Sequence, residues 1–230
     1  MTTTVSEERQ KLTQAEIDEA REYLERTRDS AIAATEGLSQ AQLTYRPASG
    51  GWSIAGLLEH MAIIQEVVLG RIAQALADAP ESPSSDCEII DGIIKSKIAD
   101  RSRKFPAPEA VWPTGRPTAS ESAQRLSTNT QRLIERLEST WGLRLHQVPS
   151  PPLIAMSEGK YQMMDGYQWL LAAAGHTERH RLQILEVKSE PGFPKSAKGA
   201  DTRHESEQQI ADPLPDALDA APVLRGHSKS

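Results

Sequence analysis

Cysteine is almost missing from this chain: Cys87 is the only one in 230 residues. That excludes an intramolecular disulfide and any thiolate zinc cluster. With no His at a recognisable nucleophile spacing, Cys87 reads as a loop or core thiol rather than a catalytic one. Aromatic residues are scarce too, at 4%, and runs of alternating β-branched or aromatic residues are few, so little of the chain is expected in strands. Basic charge is not in excess. The 26 Lys and Arg are outnumbered by 32 Asp and Glu, for a net charge of −6, and no Lys/Arg cluster offers the footprint of a nucleic-acid binder. Apolar runs such as Trp169 to Gly175 fall well short of the roughly 20 residues that cross a bilayer, so no membrane partner is expected. The polar start MTTTVSEERQ lacks the apolar segment of a signal peptide, and a cytoplasmic location is the expectation.

What is present is helical periodicity. Apolar residues make up 38% of the chain, enough for one core of ordinary size plus appendages. A first helix is predicted from about Thr13 to Gly37, with Ile17, Ala20, Leu24, Thr27, Ala31 and Ala34 on one face and acidic residues in its first turn, where the helix dipole favours them. A polar connection leads to a second, opened by Ser53 as N-cap and lined by Ile54, Leu57, Met61, Ile64, Val68, Ile72 and Leu76 until Pro80 stops it. Thr118 and Glu121 form a capping-box pattern ahead of the third stripe, Ala123, Leu126, Thr130, Leu133, Leu137 and Trp141. The fourth helix spans about Tyr167 to Lys188. Four long amphipathic helices must bury their stripes against one another, which predicts an all-α four-helix bundle. The stretch from Ala79 to Pro117 holds one extra short helix, Glu88 to Asp100, read as an insertion outside the bundle. The division expected is a flexible N-terminus over 1–12, the bundle over 13–190, and a Pro-, Ser- and charge-rich disordered tail over 191–230.

Within the fourth helix, HTERH places His176 and His180 four residues apart, which stacks two imidazoles on one face. They share a row with Trp169, Ala173, Gln183 and Val187, a stripe that should face inward. His60 lies in the row Leu57, His60, Ile64, Val67 of the second helix. Three neutral imidazoles from two helices suit Zn²⁺ or Ni²⁺ and leave a coordination position open for water or substrate. Spacing alone does not separate that site from a set of hydrogen-bonded core histidines, and both readings stand at this point. Gln183 is the candidate to hydrogen-bond a ligand ring or a metal-bound water. Glu59 and Glu178 adjoin ligands, but successive helix residues point about 100° apart, and both read as surface charges. His146, His204 and His227 read as solvated.

Two segments resemble the DinB/YfiT-like superfamily. LTYRPASGGWSIAGLLEHM resembles that family's lead into its second helix, which ends on the first metal ligand. HTERHRLQI resembles its closing motif, with two more ligands followed by Arg and Gln. The resemblance covers roughly residues 12 to 188. It implies that Trp52 stands for the family tryptophan, that His60, His176 and His180 form the metal triad, and that Gln183 matches the glutamine after the last ligand. The family often has His directly before the last ligand and Gly before the Gln, where this chain has Arg179 and Leu182. Family members include metal-dependent transferases of low-molecular-weight thiols and an isomerase that uses such a thiol, and they often pair as homodimers. The resemblance therefore implies a divalent-metal-dependent enzyme that activates a thiol, or alternatively water for hydrolysis, on a small-molecule substrate. A non-catalytic, stress-associated metal-binding bundle is the competing class.

Overall fold

The computed structural model describes residues 11–195 apart from Ser49. Four long helices form the frame: α1 (Gln14–Ala33), α3 (Ile54–Asp78), α5 (Ala119–Ser139) and α7 (Gly166–Ser189). Their starts follow local chemistry. Thr13 with Glu16, Thr118 with Glu121 and Asp165 with Gln168 make reciprocal capping boxes on α1, α5 and α7, and the Ser53 hydroxyl accepts from Gly56 N on α3, so orphan first-turn amides are satisfied without tertiary help. Each of α1 and α3 packs against both α5 and α7, closing an all-α bundle. The expected third stripe ends two residues too late: α5 stops at Ser139, and Trp141 lies beyond it, exposed.

The core divides into two apolar clusters. One gathers Leu24, Val68, Ile72, Leu133, Leu137, Leu170 and Leu171; the other gathers Ala31, Leu57, Leu58, Met61, Leu126, Ile184 and Val187. Each fully buried aliphatic side chain contributes roughly 1.5–3 kcal/mol. Between the clusters every long helix carries a buried polar group: Thr27 on α1, His60 and Gln65 on α3, Thr130 on α5, and Thr177 and His180 on α7. Gln65 donates to Thr130 Oγ1 at 3.0 Å, and Thr130 and Thr177 donate to carbonyls of their own helices. These buried polar groups thus find partners in one another and in backbone carbonyls, as burial demands.

Shorter elements occupy the connections. α2 (Gln40–Thr44) lies between α1 and α3, and α6 (Pro151–Met156) starts on Pro, whose missing N–H costs nothing at the first helical position. A two-stranded antiparallel ribbon pairs β1 (Gln147–Pro149) with β2 (Met163–Asp165) in the register Val148↔Met164. Three-residue strands leave too little alternation to be read from sequence.

The short helix in the connection between α3 and α5 is not an insertion outside the bundle. α4 (Cys87–Lys97) packs on α7 with Ile90 and Ile94 buried in the larger cluster, so it is part of the core and not outside the bundle. Gly175 is the reason it can lie so close: a Cβ there would fall 2.0 Å from Ile98 Cγ2. Cys87 itself is half-buried, donates to Ser84 O at 3.0 Å, and has its thiol pushed up by burial, the opposite of an activated nucleophile. Residues 1–10 and 196–230, which hold most of the two terminal segments along with His204 and His227, lie outside the described residues. Residues 191–195 turn back on α2, with Phe193 edge-on to Tyr45 at 5.6 Å and Gln42 Nε2 donating to Pro194 O at 2.9 Å.

Candidate metal centre

His60 sits in the second turn of α3 behind the Ser53 cap, while His176 and His180 sit one turn apart on α7. One nitrogen from each ring falls within 4.8 Å of the others, and ring centroids are 4.4–5.0 Å apart. Among the described residues no carboxylate or thiol joins the cluster. The indole of Trp52 covers it, 4.5 Å from His60 and 6.2 Å from His180 by centroid.

The outward nitrogens settle which lone pairs point inward. His60 Nδ1 lies 2.8 Å from Val111 O; a carbonyl only accepts, so Nδ1 carries the proton and Nε2 is left bare. His180 Nδ1 lies 2.9 Å from Gln183 Oε1, and Arg101 Nη1 donates to that same oxygen at 3.4 Å, which identifies it as the acceptor. His180 Nε2 is therefore also a lone pair, and it faces His176 Nε2 at 3.1 Å. Burial comes first in holding all three rings below the ordinary imidazole range. His180 is pulled down to about 3, and His176 well below its usual value with the neighbouring His180 and His60 adding to the effect. Converging neutral imidazoles repel unless a proton or a cation sits among them. A tetrahedral zinc with bonds of about 2.1 Å sets its nitrogens about 3.4 Å apart, near the 3.1 Å between the His176 and His180 nitrogens and inside the 4.8 Å limit of the whole set, so the residues present fit such an ion.

The sequence profile of the DinB superfamily matches residues 23–184. The chain belongs to the DinB superfamily. A solved structure it is similar to is YfiT from Bacillus subtilis, described as a probable metal-dependent hydrolase with an unusual four-helix bundle topology; the two share 16% sequence identity with a TM-score of 0.54 over 77% of this chain and 88% of that one. At that identity the likeness speaks for the fold. No curated protein matches the sequence.

Against the family pattern, the residues flanking the histidines hold the surprises. Glu59, expected on the surface, is 2% exposed. Its carboxylate accepts from Thr114 N at 2.9 Å, Thr114 Oγ1 at 2.6 Å and Gly115 N at 2.9 Å. Burial works to raise its pKa, but these bonds prevail and hold it below the usual carboxylate range. Arg179, standing where the DinB pattern often has His, is buried and donates to the carbonyls of Ile98, Asp100 and Arg103, with the Phe105 ring 5.3 Å from its guanidinium carbon. Glu178 is half-buried and pairs with Arg181 at 2.7 Å. His146 is half-buried rather than solvated, its Nδ1 2.7 Å from Ala79 O. The connection between α4 and α5 thus forms a wall beside the histidines. The sequence offered no sign of this, because most of its contacts run through backbone carbonyls and amides that carry no residue code.

Proposed function

We propose that this DinB-superfamily protein is a metal-dependent enzyme that holds one divalent ion, Zn²⁺ or Ni²⁺, on His60, His176 and His180 and acts on a small molecule through a low-molecular-weight thiol. The observation that carries the reading is the fixed tautomer of two rings: with the Nδ1 protons of His60 and His180 held by Val111 O and Gln183, both Nε2 lone pairs are presented to one point before any ion arrives. When bound, such an ion acts as a Lewis acid that brings a thiol or water in its open position toward ionisation at neutral pH.

Thiol transfer is favoured over hydrolysis by what surrounds the cluster. Hydrolysis of an acyl or amide substrate calls for a group that moves protons between water and leaving group. Glu59 is committed to Thr114 and Gly115, Glu178 to Arg181 and Glu186 to Arg101. Gln183 cannot take a proton. A thiol needs only to be deprotonated and positioned, and Trp52 supplies an apolar face against which a thiol carbon chain would lie. Metal-dependent hydrolysis is the second reading, supported by the description of YfiT.

The test begins with protein purified without added metal. Elemental analysis should find about one equivalent of ion, lost in His180→Ala. Incubation with common thiols and a panel of electrophiles, with and without a chelator, should show chelator-sensitive consumption of the thiol. Ion-dependent ester or amide hydrolysis without thiol consumption would replace this reading with the second. A protein that retains no ion would end both.

A further inference from the structure

Each long helix that bears a histidine of the cluster also bears, one residue earlier, a buried charge that grips the same connecting segment. On α3, Glu59 precedes His60 and receives three hydrogen bonds from Thr114 and Gly115. On α7, Arg179 precedes His180 and donates to the carbonyls of Ile98, Asp100 and Arg103. Glu59 is 2% exposed and Arg179 6%, and Arg179 forms no ion pair within 4.0 Å among the described residues. Because neighbouring helix residues point about 100° apart, neither charge enters the cluster. Both hold what stands beside it.

The pinned segment, 98–115, reaches the cluster at two points between its anchors. Val111 O accepts from His60 Nδ1 at 2.8 Å. Arg101 donates to Gln183 Oε1, the atom that accepts from His180 Nδ1. Val111 is placed by a 3-10 turn, Glu109–Val111, and lies three residues from Thr114; Arg101 lies between two of the carbonyls that Arg179 holds. The segment therefore orients two of the three rings, and its ends are fixed by the residues next in sequence to those same rings.

We infer that Glu59 and Arg179 are positioning residues, which pin the 98–115 segment so that Val111 O and Arg101 hold His60 and His180 in the tautomers that bind an ion. The inference rests on the metal-site reading for its purpose, but its geometry can be tested without any ion. Three variants of the full chain separate shape from charge. Glu59→Gln keeps the volume but cannot accept from both Gly115 and Thr114 as a carboxylate does. Thr114→Val keeps the Glu59 charge and removes only the hydroxyl. Arg179→Lys keeps the positive charge but not the fork that spans several carbonyls.

Imidazole nitrogen NMR on metal-free protein should show His60 as a single Nδ1–H tautomer in the parent and a mixture in Glu59→Gln, with a smaller shift in Thr114→Val and faster amide exchange at Gly115 in both. In Arg179→Lys the change should appear at His180. Zinc titration against a competing chelator should show affinity falling by about tenfold or more in Glu59→Gln and Arg179→Lys, the scale expected when a ligand loses its orienting partner. Unchanged tautomers in Glu59→Gln and Arg179→Lys overturn the inference even if zinc affinity drops, because the drop is then an effect of charge alone. A parent protein that binds no zinc defeats the metal-site reading, while the tautomer measurements still decide the positioning roles.

Discussion

Gln183 shows how much one side chain can decide. Its Oε1 joins His180 Nδ1 to Arg101, so it fixes a ring tautomer and ties a connection to α7 with the same atom. Gln183→Leu fills similar space and removes the acceptor. Zinc affinity should fall 10- to 100-fold, while metal-free stability should change by only about 1 kcal/mol, because Gln183 is half-buried and a single hydrogen bond has a modest net effect. Chelator competition and thermal melting of the same samples check the two halves. If affinity holds while the tautomer is lost, packing against Trp52 rather than Gln183 orients His180. This residue was legible in the sequence because it shares the helical row of the two histidines. Glu59 was not: its partners Thr114 and Gly115 lie 55 and 56 residues away, and a lone carboxylate on a helix has no local mark of being buried.

Among the elements, the four long helices could be read closely because capping residues and apolar rows are local signals. α4 could not be placed, because what holds it is a set of single charges far apart in the chain. Arg144 is buried and bonds Asp91 on α4 at 2.6 Å, Asp165 before α7 at 3.1 Å and Glu16 on α1 at 2.7 Å, with Gln168 also donating to Asp91 at 3.2 Å. Burial opposes the guanidinium charge, but the three carboxylates prevail and hold its pKa above the ordinary value. Arg144→Met would leave Asp91 and Asp165 buried with their charges uncompensated, and the loss of one partner from such a network costs about 3–5 kcal/mol. Urea unfolding should register that loss in the midpoint. The zinc site should keep its affinity, since Asp165 precedes His176 by eleven residues, about 16 Å along the helix. A cost below about 1 kcal/mol would mean that apolar packing of Ile90 and Ile94 alone docks α4. Gly175→Ala tests the other fastening: with Ile98 in the way of the new methyl, overpacking should destabilise by about 1–3 kcal/mol.

At the scale of the whole molecule, keeping three histidines neutral inside the bundle makes folding depend on pH, and the sign follows from which state binds more protons. In the unfolded chain each ring titrates near 6.5; in the folded one His60 and His176 lie lower and His180 lies at about 3. Their contribution is complete above pH 6.5 and is lost as pH falls toward those folded values. Asp165 runs the other way. Burial, against the pull of Arg144, raises it from 3.8 to about 6, so its contribution is present below about pH 4 and is lost as pH rises through 6. Between pH 4 and 6 the three rings and the one carboxyl act in opposite senses, and the lowered carboxylates Glu16 and Glu59 side with the rings, so the unfolded state gains more protons than the folded one on acidification. Each net proton costs about 1.4 kcal/mol per pH unit, so metal-free protein should lose stability steadily as the pH falls through that range. Urea unfolding of chelator-treated protein from pH 7 to 5 measures the slope, and His176→Asn should flatten it. Saturating zinc should raise stability at pH 7 through mass action and steepen the fall, because each proton the rings accept displaces the ion. A flat profile for the metal-free protein would mean that the three rings are not held neutral together, and with that the case for a shared ion fails.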